Sequence, residues 1–221
     1  MARIAVADGI RVSVLTPHIH PDLYGNTRGS LRGAFDVFAK RLREEAIPLE
    51  IKLGGEVWFS IELLDLIDRD EVPFLGEVDG YRIMLIEFPP RMIPIGSDKL
   101  ATVLLRRKIR PLIAHPERNM AVMESLDKLR PFVDMGCWLQ LTAGSLSGRF
   151  NPVIGQTAWR LLESGWNCIV ATDAHDLRHR PPLLSEGRDA LAKRFGEQFA
   201  LDHVRFRPAR ILGMPAGPAA A

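Results

Sequence analysis

The sequence predicts an α/β protein built on a parallel sheet, and three observations lead there. Six short runs rich in Val, Ile and Leu are flanked by Gly, Pro or polar residues, as buried parallel strands are. Helical patterns lie between them, and alternation at this spacing marks strand–helix–strand units. Metal-binding residue types recur at or just beyond the ends of these runs: His18, Glu56, Glu87, His115, Asp173 and His175. Strand–helix barrel enzymes build their chemistry from loops in that position.

The elements follow in order. The opening MARIAVADGI reads as the second half of a helix, with Ile4, Ala5 and Ala7 apolar and Asp8-Gly9 closing it. Strands are predicted over 11–15, 49–53, 82–88, 110–114, 138–142 and 167–171. A helix over 29–46 carries the stripe Leu31, Ala34, Phe35, Phe38 and Leu42. A second, over 97–108, follows a glycine and takes Ser97 as N-cap. Residues 120–135 and 152–164 form further amphipathic segments, the latter ending at Gly165 as a helix C-terminus does. No repeat or linker divides the chain, so 1–213 is read as one domain and 214–221, MPAGPAAA from Met214, as a flexible tail. No strand is encoded before the first helix, so the sheet is expected to have an exposed edge.

Composition narrows the function. At 47% hydrophobic and 25% charged, the 221-residue chain is ordinary for a globular protein. A net charge of +2 gives no electrostatic case for nucleic acid or an acidic membrane. No apolar stretch approaches the roughly 20 residues of a membrane span, and MARIAVADGIRV, with Asp8 early and no long apolar core, does not read as a signal peptide. Cys137 and Cys168 each sit inside an apolar run, which argues against a disulfide framework and for a cytoplasmic location. The basic residues are nearly all Arg, with six Lys, a bias that GC-rich codon usage explains as well as phosphate recognition does.

The motifs carry the chemistry. Pro17 ends the first run and leaves His18 at its lip, with His20 as a competitor for the same role. Gly54-Gly55-Glu56 either lets backbone approach an ion, with the carboxylate bridging two metals, or is a turn bearing an exposed Glu. Glu87 lies among apolar residues in IMLIEFPP, where a carboxylate must be paired or metal-bound. His115-Pro116-Glu117-Arg118 adds a strand-end imidazole and a guanidinium suited to phosphate, unless Glu117 and Arg118 simply pair. In Thr172-Asp173-Ala174-His175, alternate residues of an extended segment point the same way and can serve adjacent metals. Arg180 can reach the same mouth, whereas His179 and His203 read as solvated. The GSLSG stretch at 144–148 has Leu146 where a nucleophile elbow needs Ser, and no phosphate-binding glycine loop occurs.

Taken in order, TPH, GGE, LIEF, AHPER, TDAH and RPP resemble the polymerase and histidinol phosphatase (PHP) superfamily. More closely, from Ile4 to Gly213 the chain is similar to the CpsB type of bacterial manganese-dependent protein-tyrosine phosphatases of capsule and exopolysaccharide operons. The resemblance implies a distorted (β/α)7 TIM-like barrel, here lacking its first strand, with up to three divalent ions (Mn, or Fe, Zn or Co) at one mouth. It assigns Glu56, Glu87 and His115 to one ion, Glu56 and Asp173 to a second, and His18 with His175 to a third, while Arg118 and Arg180 clamp the phosphate. The implied substrate is the phosphotyrosine-rich tail of a tyrosine autokinase. The implied reaction is in-line attack on phosphorus by water whose pKa the ions lower towards about 7. The family's Asp-x-His-x-His strand has no counterpart before His18, and the expectation is that Met1 is an internal methionine of a longer frame. Two alternatives are a small-molecule phosphatase of the histidinol-phosphate type and a shortened, inactive metal-binding module. An open sheet edge further suggests a homo-oligomer.

Overall fold

The computed structural model describes residues 1–20 and 23–215, so the expected tail lies, from residue 216 on, outside the described residues. Helix α1 (Ala2–Ala7) leads into β1 (Val12–Leu15) and the two-residue β2 (His18–Ile19). Helix α2 (Arg28–Glu44) starts at the capping box of Thr27 and Ser30 and is followed by β3 (Glu50–Leu53) and β4 (Glu56–Trp58). Then come α3 (Leu63–Asp68), β5 (Gly76–Val78), β6 (Tyr81–Glu87), α4 (Ser97–Arg106) and β7 (Ile109–Ala114). Helices α5 (Met120–Glu124) and α6 (Arg130–Asp134) precede β8 (Trp138–Thr142), α7 (Ala143–Ser147), α8 (Pro152–Glu163) and β9 (Cys168–Ala171). The chain closes with α9 (Ser185–Phe195), α10 (Glu197–Leu201), a π-helical turn (Asp202–Phe206) and α11 (Arg207–Ile211).

The main sheet runs β2-β4-β6-β7-β8-β9, all parallel, with β5 antiparallel on β6. A separate parallel ribbon pairs β1 with β3. Side chains of the central strands alternate between two cores, as a pleated strand requires. Met84, Ile86, Ile113 and Val170 join the large core under the helices, whereas Ile83, Leu85, Leu112 and Ile169 join a smaller one closed by Ile211 of α11. Asp8, just after α1, ties the chain's start to its end: its Oδ2 accepts the N–H groups of Leu184 and Ser185 at 2.6 and 2.9 Å at the N-terminus of α9.

The six expected strands are present, each within a residue of its expected ends, and β2, β4 and β5 stand in addition to them. Pro17 and the Gly54-Gly55 pair each interrupt a strand, and the same two segments go on pairing in the same register as β2 and β4, where β4 also joins β6. His18 and Glu56 therefore begin short strands, directly paired with each other, rather than sitting in loops. The glycines are required by packing. A Cβ on Gly54 would meet Leu75 at 2.7 Å and Val14 at 2.9 Å, and one on Gly55 would meet Ile19 at 2.6 Å. Gly96, with φ of 85°, takes the N-cap position of α4, and Ser97 is its first helical residue. The segment 120–135 divides because Ser125 is extended. Of the α2 stripe only Leu42 is buried, since this helix covers the two-stranded ribbon rather than the broad sheet. His203 is buried rather than solvated: on the π-helical turn its Nδ1 donates to the Phe199 carbonyl at 2.8 Å and its ring stacks on Phe199.

Candidate metal centre

The sequence-predicted ligands converge where β6, β7 and β9 end and where β2 and β4 begin. His18 on β2 and Glu56 on β4 are cross-strand partners, and Glu87 ends β6. His18 Nδ1 is 3.6 Å from a carboxylate oxygen of each acid. His115 follows β7, and its Nε2 donates to Glu56 Oε1 at 2.8 Å and stands 3.6 Å from Glu87. Asp173 follows β9, where both Arg118 and Arg180 donate to its Oδ2, the latter at 3.0 Å. The rings of His18 and His175 are 5.9 Å apart, so residues belonging to the two end strands of the sheet order meet at this mouth.

Two sets of donor atoms are close enough to hold an ion: His18, Glu56 and Glu87, and Glu56, His115 and Asp173. Glu56 belongs to both. The resemblance implied other combinations of the same residues, Glu56 and Glu87 with His115 and His18 with His175; Glu87 does stand 3.6 Å from His115, and the two histidine rings are neighbours. His175 stands beside these sets; its Nδ1 donates to the Asp173 carbonyl at 2.9 Å, which leaves Nε2 as the lone-pair nitrogen.

The local backbone explains the arrangement. His115 (φ 32°) and Asp173 (φ 48°) are both left-handed, a costly conformation for side-chain-bearing residues and one found at functional sites. The TDAH segment is thus kinked at Asp173, so extended-chain alternation is not what aims its two ligands. Arg180 is placed by Asp176, whose Oδ1 accepts the N–H groups of Arg178, His179 and Arg180. Those bonds lower the Asp176 carboxyl.

Glu117 was not among the expected site residues. It does not pair with Arg118 but is fully buried, accepting Thr142 N–H at 2.9 Å and Ser145 Oγ–H at 2.8 Å on Oε1, with Oε2 unpartnered. It anchors the His115–Arg118 turn to the end of β8. The signal available in the sequence was one acid between two site residues in HPER, and a surface pair accounts for that equally well.

The donors fit divalent ions. Glu56 and Glu87 are carboxylates drawn together out of water, and uncompensated negative charge there is costly. Burial, then the neighbouring Glu56 charge, raises the Glu87 carboxyl. Burial acts to lower the His115 imidazole, but the hydrogen bond and charge of Glu56 prevail and raise it. Both shifts record a demand for positive charge that a cation would meet. Cys137 and Cys168, by contrast, are free, buried and pushed up to about 12 by burial, so neither is a ready thiolate. Among the described residues no helix is long and apolar enough to cross a membrane.

Comparison with known proteins agrees with this geometry. Residues 1–213 match the family model described as capsular polysaccharide synthesis, CpsB/CapC. The tyrosine-protein phosphatase YwqE of Bacillus subtilis (strain 168) is 36% identical over 199 residues, which cover 90% of this chain and 77% of that protein. The tyrosine-protein phosphatase CpsB of Streptococcus pneumoniae is 28% identical over 213 residues, covering 92% and 85%. A solved chain from work on YwqE from Bacillus subtilis and CpsB from Streptococcus pneumoniae, described there as unique metal-dependent tyrosine phosphatases, matches with a TM-score of 0.88 and 31% identity, covering 100% of this chain and 90% of that one. An adenine deaminase from Arthrobacter aurescens (TM-score 0.50, 15% identity, covering 96% and 75%) shares the fold alone. The fold and the sequence match over 1–213 together place this chain in the CpsB/CapC family of capsular polysaccharide synthesis.

Proposed function

We propose that this chain is a metal-dependent phosphomonoesterase that removes phosphate from protein phosphotyrosine, with 1–213 as one phosphatase domain. The observation that carries the reading is the pair of donor sets sharing Glu56, with Arg118 and Arg180 converging beside them on Asp173. The named activity of the relatives supports it.

His18, Glu56, Glu87, His115 and Asp173 would hold the ions, with His175 adjacent. A mixed imidazole and carboxylate set accepts Mn, Fe, Zn or Co, and manganese is the ion proposed. Bound ions would polarise the phosphoryl oxygens and lower the pKa of water. The chain's own groups prepare the rest. Arg118 and Arg180 offer planar forks suited to two phosphate oxygens each, and both are about three-quarters shielded from water. Asp173 holds them in place until phosphate arrives. His115 carries on Nε2 the proton it shares with Glu56, and giving that proton up is the condition for binding as a ligand. The proposed partner is a bacterial tyrosine autokinase of polysaccharide export, and the proposed location is the cytoplasm, in keeping with two free cysteines.

The test uses protein stripped of metal and reloaded with manganese, assayed on a phosphotyrosine peptide. Phosphate release is expected, with His115→Ala or Asp173→Ala lowering it about 100-fold. Stoichiometric manganese uptake without any phosphate release would overturn the proposal.

A further inference from the structure

One wall of the centre is aromatic, and no metal role accounts for it. Strand residues two apart share a face, so Trp58 projects from the same side of β4 as Glu56, and His20 lies one step beyond His18 in the same sense. A row of ligands is thereby followed by a row of rings. Trp58 packs on His20 with centroids 4.5 Å apart, and Tyr24 stacks on His18 at 5.7 Å with an interplanar angle of 19°.

A cavity of ≈ 180 Å³ is lined by members of both rows, His18, Glu56 and Glu87 together with Leu23, Tyr24 and Trp58. Trp58 is also the direct partner of Glu87 in the β4–β6 register, so an aromatic ring and a site carboxylate occupy the same rung. Another cavity, ≈ 440 Å³, is bounded by residues 91–98 and by α5 and α6, and includes none of the site's acids or histidines.

We infer that this cavity is an arene subsite, in which Trp58 and Tyr24 contact the flat ring of an aryl phosphate whose phosphoryl group lies at the carboxylates. The inference rests on the phosphatase reading and adds to it the residues that select aryl over alkyl esters. The chemistry suits the walls. An aromatic ring gains from offset or edge contact with other rings as well as from leaving water, and an alkyl chain lacks the first. A cavity that brings rings and site carboxylates together offers each end of an aryl phosphate its own contacts.

The experiment is calorimetric titration of the manganese-loaded protein with phenylphosphonate and with methylphosphonate, alongside turnover of phenyl phosphate and glycerol 2-phosphate. The native chain should bind the phenyl compound more tightly. Trp58→Ala and Tyr24→Ala should each cut that preference about tenfold at unchanged metal content, with Trp58→Phe retaining most of it. Tyr24 is half exposed, so its variant tests the subsite even where Trp58→Ala fails to fold. No phenyl preference in the native chain, or one that survives both alanine variants, would overturn the subsite while leaving the phosphatase reading intact. Absence of turnover on both esters would instead overturn the phosphatase reading, and the binding comparison would still decide the subsite.

Discussion

Glu87 and His115 both face Glu56, and both hold their protons more tightly in the folded chain than in the unfolded one. The folded state therefore binds more protons, and the metal-free protein should lose stability as pH rises. For Glu87 the loss begins near its ordinary 4.5; for His115 the contribution is whole below 6.5 and disappears as pH passes its raised value. Thermal melts of metal-free protein between about pH 5 and pH 8 should show a falling midpoint, with Glu87→Gln flattening the slope and manganese reversing it. A midpoint that climbs across that window in native chain and variant alike would contradict the assignment. Glu117 acts without touching a donor set. Glu117→Ala strands the buried Thr142 N–H and opens a cavity, for an expected cost of about 2–4 kcal/mol in urea denaturation, whereas Glu117→Gln keeps an acceptor in place and should cost less. A loss within about 0.5 kcal/mol for the alanine variant would show that the turn holds without its anchor.

Among the elements, the close approach of α9 to α7 depends on Gly187, where a Cβ would stand 2.7 Å from the Ala143 Cβ and 2.8 Å from its Cα. Gly187→Ala must push the helices apart, and a loss of about 1–3 kcal/mol is expected in denaturant titration, with no change in manganese uptake. Unchanged stability would mean that α9 shifts freely. Elements like β6 and β7 are legible in sequence because buried parallel strands need unbroken β-branched and Leu-rich runs, and five of the six such runs led to a candidate ligand. That the segments interrupted at Pro17 and Gly54-Gly55 go on pairing in one register was not legible, because pairing partners are set by strand order, which no single run encodes. The grouping of ligands was hidden for a related reason. It depends on His18 lying opposite Glu56 and on left-handed backbone at His115 and Asp173, neither of which is a property of residue type alone. His203 was misplaced because burial on the π-helical turn follows from a widened helix, and helical periodicity at 3.6 residues cannot anticipate it.

At the scale of the molecule, two sheets share the load unequally. Strands β6 to β9 are covered on both faces, whereas β1 and β3 form a ribbon with no fully buried residue, under a mostly exposed helix. Isolated two-stranded pairs are marginal in water, and protection against solvent exchange follows local burial. In native-state hydrogen–deuterium exchange the amides of the β1–β3 ribbon, with Gly54 N–H on the Leu15 carbonyl, should open well before those of β6 and β7. Equal protection of the two would show that the ribbon is no separate cooperative unit. The ribbon runs into the site without a change of register: Leu15 lies opposite Leu53 and His18 opposite Glu56, with the Gly54 and Glu56 N–H groups on the Leu15 and Pro17 carbonyls between them. An opening that starts in the ribbon therefore reaches His18 and Glu56 before any other ligand.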